Sequence, residues 1–174
     1  MVMESLPVKK ERIKTMNSYY LNLPLIGLLK VCSNKNSLTA INFISETSDE
    51  KMDQDKIQSE NLSAEVERLK IQLLEYLQSE RQEFQLDYKF SGTDFQQKIL
   101  KETTKIPYGQ TVSYKELAEK AGSPGAWQAA GQALKNNKLP IIIPCHRVVG
   151  TKGPGGYNGG LKLKKALLNL EGSY

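Results

Sequence analysis

Cys145 and His146 are adjacent in the sequence, and together they are the residues best suited to covalent chemistry. His146 is the single histidine among 174 residues, and Cys145 is one of two cysteines. The pair follows an apolar run over residues 139–143, which predicts a buried strand. A thiolate is a strong nucleophile, and a neighbouring base or cation lowers the pKa of a thiol. The pair therefore suggests an activated sulfur nucleophile; the alternative is a buried apolar cysteine beside a surface histidine.

Composition predicts a soluble protein that works inside the cell. No stretch approaches the roughly 20 apolar residues of a membrane helix, so no membrane contact is expected. The first twenty residues lack the apolar core of a signal peptide. Two widely separated cysteines do not form a disulfide framework, which favours a reducing compartment.

Basic residues are concentrated in the second half of the chain. Residues 86–174 contain 13 Lys and Arg against 6 Asp and Glu, a net charge of +7, whereas residues 1–85 contain 11 against 13. A basic domain favours a polyanionic partner such as nucleic acid. The alternative is that this charge only keeps the domain soluble.

Residue patterns divide the chain into a tail and two domains, with an α+β fold class overall. Residues 1–17 are polar and predict a flexible tail. Residues 18–85 predict a small α/β N-terminal domain, and residues 86–174 predict a mainly helical domain. Within the first domain, residues 46–60 are acidic and without periodicity, which indicates a linker.

The first domain is predicted to combine a sheet and a helix. Three short apolar runs within residues 18–45 predict a small antiparallel sheet. A helix ending near Arg81 is predicted by apolar residues on one helical face, which are Leu62, Val66, Leu69, Leu73 and Leu77. No histidine or second cysteine accompanies Cys32, so we expect no metal site here.

The second domain contains a predicted helix-turn-helix. Ser113 and Glu116 have the spacing of a capping box, which starts the first helix. Ser123 as N-cap and Pro124 in the first turn start a second helix that runs to Lys135. The second helix is rich in alanine and glycine, so its backbone can closely approach either the protein core or a nucleic-acid groove.

Six blocks of the second domain resemble, in their order and spacing, the O6-alkylguanine-DNA alkyltransferase family. They are residues 95–98, 106–109, 113–118, 143–148 and 156–160, and the final helix with Leu167, Leu168 and Glu171. The resemblance implies a small N-terminal sheet with a helix, followed by a winged helix-turn-helix-type domain that binds DNA and accepts the alkyl group.

The resemblance also implies direct repair of double-stranded DNA that contains O6-alkylguanine, with O4-alkylthymine as a further substrate. The helix-turn-helix would enter the minor groove and the damaged base would be flipped out of the duplex. The alkyl group would pass irreversibly to Cys145, so each molecule would act once. No cofactor is implied. We expect a monomer, in the nucleus if the source is eukaryotic and in the cytoplasm if it is prokaryotic.

Site residues follow from the same resemblance. Cys145 is the acceptor, His146 takes its proton through a water, and Glu171 orients the imidazole. Tyr114 donates a proton to the departing guanine, and Asn137 holds the turn before the cysteine. The substrate pocket is expected to include Tyr157 and Asn158, with the backbone of Cys145 and Val148. The resemblance implies DNA contacts from Gln96, Tyr114, Lys115, Ser123, Gln128 and Thr151. Trp127 and Lys135 are added because their sequence positions place them near the expected groove face. The alternatives are a solvated helix-end Glu171 and a buried structural Tyr114.

Two positions depart from the family pattern. Gln128 stands where the family usually carries an arginine that fills the space of the flipped base. Trp127, next to it, could act instead as an apolar wedge, as bulky side chains do in other minor-groove binders. The alternative is that Trp127 packs against the preceding helix. Asn158 stands where many relatives have serine, which alters the expected pocket.

Two other functions compete with alkyl transfer. Alkyltransferase-like proteins bind lesions without repairing them, but they typically carry tryptophan in place of the nucleophile, whereas Cys145 is present here. A cysteine hydrolase using Cys145 and His146 would need an oxyanion hole and turnover, and nothing in the sequence indicates an acyl substrate.

Overall fold

The computed structural model describes residues 17–34, 37–44 and 62–174. The tail predicted for residues 1–17, except Asn17, and the linker predicted for residues 46–60 lie outside that part. An antiparallel sheet opens the described chain, as the sequence predicts. Its strands, in the order β1-β2-β3, are β1 (Asn17–Leu23), β2 (Gly27–Ser33) and β3 (Leu38–Phe43).

Among the described residues the first helix is α1 (Ala64–Leu77), which covers the sheet. Its predicted apolar face is buried, with Val66, Leu69 and Leu73 at 0% exposure. The helix ends at Leu77, before the predicted Arg81, because Ser79 adopts a left-handed φ of 61° that α-helical backbone does not allow.

Four further helices build the second domain, which confirms the α+β fold. They are α2 (Asp94–Thr103), α3 (Tyr114–Lys120), α4 (Trp127–Lys135) and α5 (Gly160–Leu170). Capping boxes begin α2 at Thr93 and α3 at Ser113, the latter as predicted. Two short parallel strands, β4 (Val112–Ser113) and β5 (Val148–Val149), join the helix-turn-helix to the segment that carries Cys145.

The second helix of the helix-turn-helix starts later than predicted. Ser123 is not its N-cap: α4 begins at Trp127 behind Ala126, which makes no side-chain capping bond. The Ser123 amide instead donates to Ala118 O at 2.9 Å and closes the end of α3. The Ser123 carbonyl accepts from the Ala126 amide at 3.1 Å, so this serine belongs to the turn between the helices.

The apolar run over residues 139–143 is buried but is not the predicted strand. The Ile143 amide donates back to Leu139 O at 2.9 Å, which folds the run into a turn. Ile141 has a φ of 74°, a strained conformation for a β-branched residue. Asn137 imposes this turn, because its side chain accepts from the Leu139 amide at 3.0 Å and donates to Ile143 O at 3.0 Å.

Main-chain hydrogen bonds connect the two domains. The Ile41 amide of β3 donates to Lys138 O at 2.7 Å, and the Leu38 amide donates to Asp87 O at 2.9 Å. Buried side chains from both domains form one continuous core. Within residues 17–34, 37–44 and 62–174, no helix has the length and apolarity to cross a membrane.

Candidate active site

Cys145 is held at the start of a 3₁₀ turn, Cys145–Arg147, directly before β5. Its Sγ accepts a hydrogen bond from Asn137 Nδ2 at 3.2 Å, and the residue is only 6% exposed. Burial raises the pKa of the thiol, and the Asn137 hydrogen bond and the charge of Lys164 offset that effect only in part. Burial thus opposes the ionisation that an activated sulfur nucleophile requires. The thiol needs a base to become a nucleophile.

A buried charged cluster lies behind Cys145. Glu171, the C-cap of α5, places Oε1 2.8 Å from His146 Nε2. Arg147 Nη2 donates to the same oxygen at 2.9 Å, and Arg147 Nε donates to Glu171 Oε2 at 2.9 Å. The Tyr76 hydroxyl donates to Oε1 at 2.6 Å, and the Gly109 amide donates to Oε2 at 3.2 Å. The carboxylate therefore accepts hydrogen bonds from three side chains and from one backbone amide.

These contacts fix the protonation states of the pair. Burial raises the pKa of Glu171, but hydrogen bonds from His146 and Arg147 outweigh it and bring that pKa to about 2. Burial lowers the pKa of His146, and Glu171 opposes that shift. Because an ionised carboxylate only accepts hydrogen bonds, His146 must carry its proton on Nε2. The other nitrogen, Nδ1, is buried and has no hydrogen-bond partner among the described residues, so it can take a proton.

A small cavity of about 170 Å³ opens onto the sulfur. It is lined by Tyr114, Gly131, Leu134, Lys135, Cys145, Gly156, Tyr157 and Asn158. Tyr114 sits close to the loop before α5: a Cβ on Gly155 would lie 2.7 Å from the Tyr114 hydroxyl, and Gly155 has a φ of 73°. Glycine is therefore required at this position. The cavity combines apolar walls with a few polar groups, as ligand sites do.

Lys164 adds a buried cation near this cavity. It is 0% exposed, and Nζ donates to Val148 O at 2.6 Å and to Gly156 O at 3.2 Å. Nζ also lies 6.0 Å from the centre of the Tyr114 ring. Burial lowers the pKa of Lys164 to about 8. Its positive charge favours the thiolate form of Cys145, although burial of the thiol dominates.

Comparison with known proteins places the whole described chain in one family. Residues 16–90 match the model of the 6-O-methylguanine DNA methyltransferase, ribonuclease-like domain, and residues 94–173 match that of the 6-O-methylguanine DNA methyltransferase, DNA binding domain. The methylated-DNA–protein-cysteine methyltransferase of Methanosarcina barkeri is 37% identical over 147 residues, 84% of this chain and 91% of that protein. The chain belongs to the methylated-DNA–protein-cysteine methyltransferase family.

Other members of this methyltransferase family match over different spans. The Mycobacterium bovis protein of the same name is 48% identical over 103 residues, 59% of this chain and 62% of that relative, so the match spans less than two thirds of it. A crystal structure of Mycobacterium tuberculosis O6-methylguanine methyltransferase has a TM-score of 0.77 and 35% identity, covering 91% of this chain and 94% of that one. A structure of Mycobacterium tuberculosis OGT in complex with DNA has a TM-score of 0.74 and 36% identity, covering 90% and 92%.

The methyltransferase fold brings most of the predicted catalytic residues together. Cys145, Asn137 and Tyr114 surround the cavity or the sulfur, and His146 contacts Glu171 behind them. No hydrogen bond joins Cys145 to His146 in the described chain.

The predicted pocket residues differ in their positions. Tyr157 and Asn158 line the cavity, and Asn158 Nδ2 donates to Lys135 O at 2.8 Å. Val148 does not line it: this side chain is fully buried, and its carbonyl is bonded to Lys164. The Tyr157 hydroxyl is buried and has no hydrogen-bond partner within residues 17–34, 37–44 and 62–174. The Tyr157 ring packs edge-on against His146, with centroids 6.2 Å apart.

The predicted DNA-contact residues lie mostly on exposed surface. Trp127 is 50% exposed in the first turn of α4, so the helices do not enclose it. Exposed residues in the set are Lys115, Trp127, Gln128, Lys135 and Thr151, whereas Tyr114, Ser123 and Gln96 are half-buried. Gln96 also completes the cap of α2, because its Oε1 accepts from the Thr93 amide at 2.9 Å.

Sequence reasoning missed two residues of the site. Tyr76 lies one helical turn from Leu73 on the apolar face of α1, and a hydroxyl on such a face signals a buried partner. Lys164 lies between Leu163 and Leu167 on the buried face of α5, where a charged residue is unexpected. No group of three or more His, Cys, Asp or Glu side chains suited to a metal ion occurs in the described part of the chain.

Proposed function

We propose that this protein repairs double-stranded DNA by transferring the alkyl group of O6-alkylguanine to Cys145. The observation that carries the proposal is the placement of Cys145 at a small cavity, in front of a buried His146–Glu171 pair whose Nδ1 is free. The cavity, at about 170 Å³, is smaller than the roughly 300–1,000 Å³ of sites for drug-sized ligands. That size favours a single extruded base over a peptide segment. O4-alkylthymine is a second candidate substrate.

The proposed step balances without a cofactor. His146 Nδ1 takes the Cys145 proton through one water, and Glu171 stabilises the imidazolium that results. The sulfur then attacks the alkyl carbon: an S–C bond forms and the C–O6 bond breaks. The departing guanine receives a proton from Tyr114, which lines the cavity, and the His146 imidazolium returns its proton to the tyrosinate through water. Asn137 holds the sulfur in place throughout.

The product explains why we propose a single turnover. A thioether at Cys145 has no good leaving group, so the S–C bond is stable once it has formed. The alkyl group therefore stays on the protein.

DNA is proposed to bind along the helix-turn-helix. The helix α4 carries the exposed Trp127 and Gln128 on the same element as the cavity residues Gly131 and Lys135. On a helix, residues at i and i+4 share a face, so Trp127 lies on the same face as Gly131, one turn closer to the start of α4. This placement supports Trp127 as a wedge that fills the space of an extruded base. The structure of Mycobacterium tuberculosis OGT in complex with DNA supports DNA as the partner.

We further propose that the protein binds DNA as a monomer, because one chain supplies both the cavity and the surface around it. It would act where the genome is, in the nucleus of a eukaryote or the cytoplasm of a prokaryote.

The decisive experiment weighs the peptide that contains Cys145 after incubation with an O6-methylguanine duplex. We expect one methyl group per protein molecule on that peptide and none on the peptide of Cys32, which serves as an internal control. Cys145→Ser should fold, bind the duplex and gain no mass. Lesion binding without methyl gain by the wild type would instead indicate a non-catalytic lesion-binding protein, and turnover of an ester would indicate a hydrolase. Either result would overturn the proposal.

A further inference from the structure

Tyr76 reaches from the first domain into the charged cluster of the second. It lies in the last turn of α1, is 0% exposed, and donates its hydroxyl proton to Glu171 Oε1 at 2.6 Å. His146 Nε2 lies 2.8 Å from the same oxygen. We infer that Tyr76 is a positioning residue of the His146–Glu171 pair in the proposed alkyl transfer, on which this inference rests.

The surroundings of Tyr76 hold its hydroxyl in place. Its ring packs against Phe84, with centroids 5.5 Å apart, and edge-on against Tyr108 at 6.0 Å. Burial, followed by the negative charge of Glu171, raises the pKa of Tyr76 far above its ordinary value. The hydroxyl therefore remains a donor throughout the range in which the protein is folded, and the carboxylate oxygen remains its acceptor.

The geometry gives Tyr76 an effect on His146 as well as on Glu171. The hydroxyl oxygen is 3.5 Å from His146 Nε2, and both atoms are closer than that to Glu171 Oε1. The Tyr76 hydroxyl oxygen, Glu171 Oε1 and His146 Nε2 form a triangle. The hydroxyl proton points from the Tyr76 oxygen towards Oε1, which brings the proton closer to Nε2 than the hydroxyl oxygen is. The positive end of the O–H dipole thus faces the imidazole and disfavours its charged form.

The hydrogen bond from Tyr76 also reduces the negative charge that Glu171 presents to His146. A carboxylate that already accepts a proton from Tyr76 attracts the His146 Nε2–H less strongly. Both effects keep His146 neutral, which is the form that can take the Cys145 proton. Loss of the hydroxyl should therefore raise the pKa of His146 by roughly one unit, the order of one hydrogen bond to a charged group.

Other titratable or charged groups also surround His146, and they set the background for this effect. They are Glu171 and Lys164 from α5, Cys145 and Arg147 from the 3₁₀ turn, Tyr157 from the loop before α5, and Tyr76 from α1. Of these six, Tyr76 alone belongs to the first domain. A residue of the first domain would thus adjust the pKa of His146, the base that the second domain uses.

The test compares Tyr76→Phe with a matched control, Tyr108→Phe. The Tyr108 hydroxyl donates to Leu170 O at 3.1 Å, so its removal costs a buried bond beside the same helix end without touching the carboxylate. His146 is the single histidine, so histidine ¹⁵N NMR reports its titration and tautomer without ambiguity. The pH profile of methyl transfer in a single turnover supplies the second measurement.

We expect Tyr76→Phe to raise the pKa of His146 by about one unit and to move the acid limb of the transfer profile upward by a similar amount. Tyr108→Phe should leave both unchanged. An unshifted His146 titration in folded Tyr76→Phe, or an equal shift in Tyr108→Phe, would overturn the inference. Tyr76→Leu removes the same hydroxyl and gives the same decision if the phenylalanine variant does not fold. Absence of methyl transfer in the wild type would sink the proposed function alone, because the NMR titration does not depend on it.

Discussion

Replacing Glu171 by glutamine should cost this protein a large part of its stability. The substitution keeps the shape of the side chain but removes the charge that pairs with Arg147. Arg147 is 5% exposed and would keep Ile106 O, at 2.7 Å, as an acceptor, but it would have no anion. Removal of one partner from a buried ion pair leaves an uncompensated charge, which typically costs about 3–5 kcal/mol.

The pKa of Glu171 gives an independent magnitude. A carboxyl group whose pKa falls from 4.5 to about 2 on folding contributes about 3 kcal/mol when it is ionised, since one pKa unit corresponds to about 1.4 kcal/mol. Because the folded pKa is the lower one, this contribution is present above pH 4.5 and is lost as the pH falls towards 2. At pH 3 about 1.4 kcal/mol should remain.

Urea denaturation of wild type and Glu171→Gln at pH 6 and pH 3 measures both values. The difference in unfolding free energy should be about 3 kcal/mol at pH 6 and less than half of that at pH 3. Glu102→Gln is the matched control, because Glu102 forms a surface pair with Lys105, which is 62% exposed. It should cost less than about 1 kcal/mol. Equal losses for the two variants, or a difference that does not shrink at pH 3, would refute the reasoning.

Three further predictions concern the sulfur and the DNA surface. Asn137→Ala should slow alkylation of the thiol by iodoacetamide at least tenfold, because the hydrogen bond to the sulfur and the turn before it are lost; Asn136→Ala, on the exposed neighbour, should not. Lys164→Met should leave two carbonyls unpaired and lower the unfolding free energy by about 1–3 kcal/mol in urea titrations, and it should also slow thiol alkylation. Trp127→Ala should reduce the 2-aminopurine fluorescence that reports base flipping more than Gln128→Ala does, and no loss in folded Trp127→Ala would rule out the wedge.

The sequence predicted the elements of the fold better than their ends. Capping chemistry at Ser113 fixed the start of α3, because the serine hydroxyl and the Glu116 carboxylate satisfy local amides. The same reasoning was wrong at Ser123, whose amide and carbonyl are used by the preceding helix and the turn. Local pattern alone does not show which of two adjacent elements a serine serves.

The apolar run before Cys145 shows a different limit. Its hydrophobicity correctly predicted that the run is buried. The predicted extended strand is wrong, because the Asn137 side chain hydrogen-bonds to both ends of the run and folds it into a turn. Adjacency to His146 suggested an activated thiol, but it does not show how deeply the sulfur is buried, and burial raises the pKa of the thiol. Contacts between residues distant in sequence, such as Tyr76 with Glu171, leave only an indirect trace in a single sequence.

The bond between the Ile41 amide and the Lys138 carbonyl joins the two domains through main-chain atoms, and so does the bond between Leu38 and Asp87. Bonds of this kind constrain where the backbone runs and place no demand on which side chains it carries. Related proteins can therefore differ at many side chains of the sheet and still pack the sheet against the domain that carries Cys145.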